Sequence, residues 1–330
     1  MKRALVTYGC LFLLGGVLAA TQPAETKLAP REHQRGEEQT LLTYPEWFLV
    51  FSPDEYAQFV KHDEPSAFPF WGHVRQFWQG YAAVFQEQRR HPDYAFNGEY
   101  HGMINLIGIS TTVEYGLRSA YETFVGRLSA ATTSQASAED LYGAQVAQEY
   151  VDFIKVRPWY EFDFTTRLAN LWTRTPLSGG GLARKLERRY ALTTEYLVKA
   201  GYGWLLSKAA NPGHDKPLPV THVAYRHAGA IETVLLPRYG EFTPASMRLA
   251  QDGADFIEIA GNGTRADILL TVWFAPGWQP PVGTRMLFEQ PILTVPGHRR
   301  AALVVQVESL ASVLRELQAA GVEVEHVFDY

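Results

Sequence analysis

Two hydrophobic periods divide this chain. From about residue 41 to residue 210 apolar side chains recur at three- and four-residue intervals, the repeat of an α-helix. Beyond the turn-forming run Asn211-Pro212-Gly213-His214-Asp215-Lys216-Pro217 they fall in short blocks rich in β-branched residues. A chain patterned in this way is expected to fold as α+β: an all-helical, aromatic-rich N-terminal domain over 41–210, then a smaller α+β domain over 217–330 with a mostly antiparallel sheet and helices on one face.

Within the first part, Ser52-Pro53-Asp54-Glu55 has the form of a helix start, with a capping serine, a proline at the first helical position and a glutamate at the third. It predicts a short helix to about Lys61. Phe70, Val74, Phe77, Trp78, Tyr81 and Phe85 mark an amphipathic helix with an aromatic stripe that stops before His91-Pro92-Asp93. Further helices are predicted over 99–128, 139–154, 166–173 and from Ser178-Gly179-Gly180-Gly181 to about 210. In the second part strands are predicted over 231–236, 255–259, 268–274, 285–295 and 301–307, with helices over 244–250 and 310–320. Gly321, near the end of that last helix, leads into 322–327 and closes a strand–helix–strand unit.

The N-terminus carries a location signal. Lys2 and Arg3 precede an uncharged run over 4–20, which reads as a secretory signal peptide or a signal anchor. Val17-Leu18-Ala19 suits cleavage after Ala19, while a run of about 17 residues is just long enough to span a bilayer. Either route exports the chain to the periplasm or the extracytoplasmic face of the membrane. Residues 21–40, with Pro23, Pro30 and mixed charges, read as a flexible tether. Cys10 is the single cysteine, so disulfides, thiolate zinc sites, iron–sulfur clusters and c-type haem lack their ligands. With 30 basic and 35 acidic side chains the net charge is −5, which gives no global positive field for a nucleic-acid backbone.

Two helices echo each other. Thr111-Thr112-Val113-Glu114-Tyr115 leads to Arg118 and Tyr121; Thr193-Thr194-Glu195-Tyr196 leads to Lys199 and Tyr202. Each has Glu-Tyr, a base four positions after the acid, and a tyrosine three further on. The acid-before-base order at i, i+4 is the favourable one on a helix, and apolar neighbours on both helices require such charges to be paired. The echo is read either as two ordinary pairs in a helical bundle or as a duplicated element that sets Glu114 and Glu195 across from each other. In the second case the carboxylates share a proton, flank a cation, or meet each other's base.

Catalytic signatures are scarce. The sequence has no His-Glu-x-x-His and no Gly-x-Ser-x-Gly, and Ser178-Gly179-Gly180-Gly181 lacks the lysine spacing of a phosphate loop. Arg184, Lys185, Arg188 and Arg189 read as a solvated or lipid-facing basic face, and Glu87 with His91 as an exposed pair at a helix end. No metal or cofactor is implied. The expected function is therefore that of an exported, membrane-tethered envelope protein acting as a non-catalytic binding or assembly module for an apolar ligand or a protein partner. Glu114, Tyr115, Arg118, Tyr121, Glu195, Tyr196, Lys199 and Tyr202 are its candidate binding residues. One alternative is an enzyme using Glu114 and Glu195 as an acid–base or metal pair. The other is a polytopic membrane component with spans near 101–117 and 190–206, at the expense of Glu114, Glu195 and Lys199 in the bilayer.

Overall fold

The computed structural model describes residues 27–94, 96–209 and 219–330. The expected signal segment, Cys10 and the boundary run 211–217 lie outside the described residues.

The first helix begins earlier than the start expected at Ser52. α1 (Gln39–Phe59) runs straight through Pro45 and Pro53, each of which removes one backbone hydrogen bond. Ser52 is an interior residue rather than a cap, because both polar groups of the apparent start motif have tertiary partners: Ser52 Oγ lies 2.8 Å from Tyr115 Oη, and Glu55 accepts from Arg300 Nη2 at 3.0 Å. The buried Tyr44, Phe48 and Phe51 hold the helix together across both prolines. α2 (Phe70–Gln88) carries the expected aromatic stripe. α3 (Gly98–Tyr121) is capped by Asn97, whose side chain accepts from the amide of Tyr100, and continues through one π-turn (Glu122–Gly126) into α4 (Arg127–Ala130). α5 (Ala138–Ile154) starts with a reciprocal Ser137–Asp140 capping box. α6 (Phe164–Arg174) and α7 (Leu182–Ala209) complete the bundle.

Among the described residues seven strands follow. β1 (Val220–His227), β2 (Ala230–Pro237) and β3 (Asp255–Ile259) form one antiparallel sheet in the order β2-β1-β3. β4 (Asp267–Phe274), β5 (Arg285–Pro291), β6 (Arg299–Gln306) and β7 (Glu323–Val327) form a second in the order β5-β6-β4-β7. α8 (Phe242–Gln251) and α9 (Val307–Ala319) pack on one face of it, against Ile268, Leu270, Val272, Leu303 and Val305. Gly321, at φ 68°, closes α9: its amide bonds the carbonyl of Gln318, and that of Val322 bonds Leu317.

The opposite face of the second sheet is where the two halves of the chain join. Leu269, Ala302, Val304 and Phe328 share one core with Tyr44, Phe48, Phe77 and Ile104. A sheet covered on both faces explains why β4 and β6 read as almost unbroken apolar runs rather than alternating ones. Residues 27–38, expected as part of a tether, are held as a strap across the β-part. The amides of Leu28 and Ala29 donate to the Glu258 carboxylate at 2.8 and 2.6 Å, and Arg35 donates to the carbonyl of Val220 and to Thr221. Their contacts are polar, which is why no apolar period marked them as ordered.

Candidate functional site

The π-turn and the first turns of α7 set a row of ion pairs between helices. Arg184 is buried and donates to Asp140 Oδ1 and Oδ2 at 2.9 and 3.1 Å, to the carbonyl of Gly126 at 3.2 Å, and to Glu64. Arg188 forms a bidentate pair with Glu122, both bonds 3.0 Å, and Arg189 donates to Glu139 at 2.7 Å. The π-turn carries Glu122 into this row, which is its structural use. The expected solvated or lipid-facing basic face is thus a correction: Arg184, Arg188 and Arg189 point inward, because Glu122, Glu139 and Asp140 on neighbouring elements neutralise them. Glu87 is likewise buried rather than exposed, and it accepts from Arg285 at 2.7 Å as well as from His91 and Arg90.

One helical step along, the echo closes. Glu195 pairs with Arg118 at 3.3 Å and with Lys199 at 2.8 Å; Lys199 also reaches Glu114 at 3.6 Å. The two carboxylates therefore meet each other's base, and Lys199 sits between them. Burial alone would raise the Glu195 carboxyl, but Arg118 and Lys199 outweigh it and bring it down to about 2. In turn the carboxylates push Arg118 and Lys199 up against their burial. Such a carboxylate has no proton to exchange near neutral pH, so an acid–base couple of Glu114 and Glu195 has little to work with. Rings line the network: Arg118 lies 4.3 Å from the Tyr56 ring centroid and Lys199 5.2 Å from that of Tyr150.

The tyrosines of the echo diverge. Tyr115 bonds Ser52, Tyr121 reaches the carbonyl of Glu187 and lies beside Tyr190, Tyr196 is buried among Tyr142, Phe162 and Phe164, and Tyr202 stacks on Trp159. Glu114, Arg118, Glu195 and Lys199 thus form one cluster, whereas Tyr196 belongs to the bundle core and Tyr202 to a surface stack.

With most of the charges turned inward, the outer surface of the same two helices is largely apolar; Glu99 and Glu114 of α3 and Lys208 of α7 are the charged side chains exposed on it. Met103, Leu106, Ile109, Val113 and Leu117 of α3, Phe124 of the π-turn and Leu128 of α4 are exposed, Leu117 at 69%. On α7 the exposed positions Leu182, Leu186, Tyr190, Thr194, Leu197, Val198, Gly201, Trp204 and Leu205 include no charged side chain. The ion pairs 114–199, 118–195 and 122–188 fix the helices as antiparallel neighbours, so the two stripes lie side by side. From Leu106 to Leu128 the row is about 33 Å long at the rise of an α-helix; α7 is joined to α3 through these side-chain pairs and comes close in its backbone at the π-turn and α4. An exposed apolar row of this length is unusual on a monomer. None of the described helices is long and apolar enough to cross a membrane, α3 and α7 among them.

A second buried charge group escaped sequence reasoning altogether. Arg300 of β6, fully buried, donates to Glu55 of α1 at 3.0 Å and to Glu325 of β7 at 2.6 and 2.7 Å, with His73 of α2 3.7 Å from Glu55. It pins the helical layer to the sheet. The signal available was weak: Arg300 is the second of two arginines at the head of β6, directly before its apolar run, and alternation along the strand turns one of the two toward the covered face, where it demands an acid from elsewhere in the fold. Among the described residues no group of three or more His, Cys, Asp or Glu side chains is arranged to hold a metal ion. Two surface depressions, about 310 Å³ beside Gly180 and about 470 Å³ between Phe153 and Asp163, include none of the clustered residues.

No protein-family profile, curated protein or solved structure matches this chain.

Proposed function

We propose that this protein is an exported, membrane-tethered envelope module that works by binding rather than catalysis, with the paired α3–α7 surface as its binding element. The observation that carries this reading is the inversion of the two helices: their charges close on one another inside the bundle while Leu, Ile, Val and Trp side chains face outward. A helix exposed on its apolar side gains nothing in water, and a surface of this length is retained where something covers it. The Glu114–Lys199–Glu195–Arg118 cluster then has a supporting role, holding the stripes in register from beneath. The uncharged run over 4–20 supports export and tethering.

Expression of the full chain in a host with a cell envelope, followed by fractionation and mass spectrometry of what co-purifies, tests this. The full chain is expected with the membranes. The chain lacking residues 1–20 is expected to retain a lipid or protein, and Leu117→Glu with Leu197→Glu is expected to release it. Recovery of both chains from the cytosol with nothing bound contradicts the reading.

A further inference from the structure

We propose that the α3–α7 face lies in the plane of a lipid bilayer, with the hydrocarbon of one leaflet as its occupant. This rests on the reading above that the face is a binding surface, and names what it binds.

Four observations select lipid over a protein partner. The first is the shortage of polar groups. A protein–protein interface carries about one hydrogen bond per 100–200 Å² and charged or polar side chains around its rim. Here no charged side chain of α7 from Leu182 to Ser207 is exposed: Arg184, Glu187, Arg188, Arg189, Glu195 and Lys199 turn to partners on the inner side and Lys185 bends back to the carbonyls of Pro176 and Ser178, while Glu99 and Glu114 are the exposed charges of α3. The second is extent: exposed apolar side chains run from Met103 to Leu128 along α3 and its extension and from Leu182 to Leu205 along α7, and the surface depressions beside Gly180 and between Phe153 and Asp163 lie elsewhere. The third is the edges. Trp71 lies against α3 at Gly116, on the side away from α7, and Trp172 donates to Thr193 on the side of α7 away from α3. Each indole is 55% exposed, so one tryptophan flanks each long edge of the patch, where its ring suits the boundary between hydrocarbon and headgroups. Because the helices are antiparallel, Arg127 of α4 and Lys208 of α7 lie at opposite ends, cations placed for lipid phosphates. The fourth is the chain itself: the apolar run over 4–20 brings the protein to the same surface.

The inner sides of α3 and α7 are occupied by α2, α5 and α6 and by the ion row, so a single face is available to lipid and the helices lie along the surface rather than through it. An apolar helical face held in this way sits about 5–10 Å into the boundary between headgroups and acyl chains.

The test uses the full chain with Cys10→Ser, reconstituted into vesicles of phosphatidylethanolamine and phosphatidylglycerol, with a nitroxide on a single introduced cysteine. Leu117→Cys and Leu197→Cys probe the face, and Val282→Cys, on a β-part residue that is 97% exposed, is the aqueous reference. At 117 and 197 collisions with oxygen are expected to exceed those with a water-soluble nickel complex, at a depth of about 5–10 Å, and the reverse is expected at 282. If 117 and 197 are shielded from both reagents, a protein covers the face; that overturns the lipid assignment and leaves the binding surface standing. If both sites are as accessible to nickel as 282, the face is bare, and the binding reading falls with the lipid one. Folding of each variant is checked by its near-ultraviolet circular dichroism against the parent chain.

Discussion

Replacing Glu195 by glutamine removes the centre of the cross-helix cluster. Arg118 has no other acid within salt-bridge distance among the described residues and keeps only the Tyr56 and Phe70 rings, at 4.3 and 5.5 Å. Lys199 keeps Glu114 at 3.6 Å. Breaking a fully buried pair costs about 3–5 kcal/mol. The Glu195 side chain is 24% exposed and its partners are similar, so solvent lowers that to about 2–3 kcal/mol. The depressed carboxyl gives a compatible ceiling: a fall from 4.5 to about 2 corresponds to about 3.4 kcal/mol at 1.36 per unit. The sign follows from the direction of the shift. This stabilisation is complete above the unfolded value of about 4.5 and is lost as pH falls toward 2.

Glu114, half-exposed with one contact to Lys199, should cost only about 0.5 kcal/mol alone. In the Glu195→Gln background its loss strips Lys199 of its last acid, so the double variant should lose more than the sum, by about 1 kcal/mol. Urea denaturation of the four proteins in the cycle at pH 7 measures this. Additivity within about 0.5 kcal/mol, or a Glu195→Gln loss below that size, would refute the hub geometry.

Arg300→Leu should destabilise by about 3–5 kcal/mol, since it leaves Glu55 and Glu325 buried without a cation; adding Glu55→Gln and Glu325→Gln should restore most of the loss, and denaturation midpoints of the single and triple variants decide it. Gly108→Ala should cost about 1–3 kcal/mol, because a Cβ there would meet the Phe77 ring and stand 2.9 Å from that of Trp78; a neutral effect on the melting temperature would mean α2 and α3 are less closely packed. His73 and His326 are kept neutral by burial, each down to about 3. Their contribution is full above pH 6.5 and is lost as pH falls from there toward 3, at about 2.7 kcal/mol per unit for the two together. A stability profile that stays flat between pH 6.5 and 5 would contradict their burial.

How much of this was legible in the sequence depends on the range of the interaction concerned. Helices with a local signal were clear: the aromatic stripe of α2 and the apolar period over 139–154 that became α5 specify themselves within a few turns. The strand blocks from residue 231 onward were clear for the same reason. The start of α1 was misread because a serine, a proline and a glutamate at capping spacing look alike whether they face a helix end or distant partners; here Ser52 goes to Tyr115 and Glu55 to Arg300. The orientation of α7 was hidden more deeply. Its basic residues and its leucines each form a helical stripe, and periodicity alone does not say which stripe faces in. Glu122, Glu139 and Asp140 settle the matter, but they lie roughly 45 to 65 positions away. The Glu-Tyr echo did reveal the cluster at 114, 118, 195 and 199, because its two halves carry complementary charges at matching spacing. It also drew Tyr196 and Tyr202 into the site, which the structure assigns to the bundle core and to a surface stack.

The most direct measurement is chemical accessibility of the outer face in native membranes. In the full chain with Cys10→Ser, single cysteines at Leu117, Leu197 and Val282 are treated with a membrane-impermeant maleimide, before and after detergent. Val282→Cys should label at once, whereas Leu117→Cys and Leu197→Cys should label only after detergent uncovers the α3–α7 surface. Equal labelling of all three in untreated membranes would mean that this surface stands free in water, and that the inward turn of the charges serves stability alone.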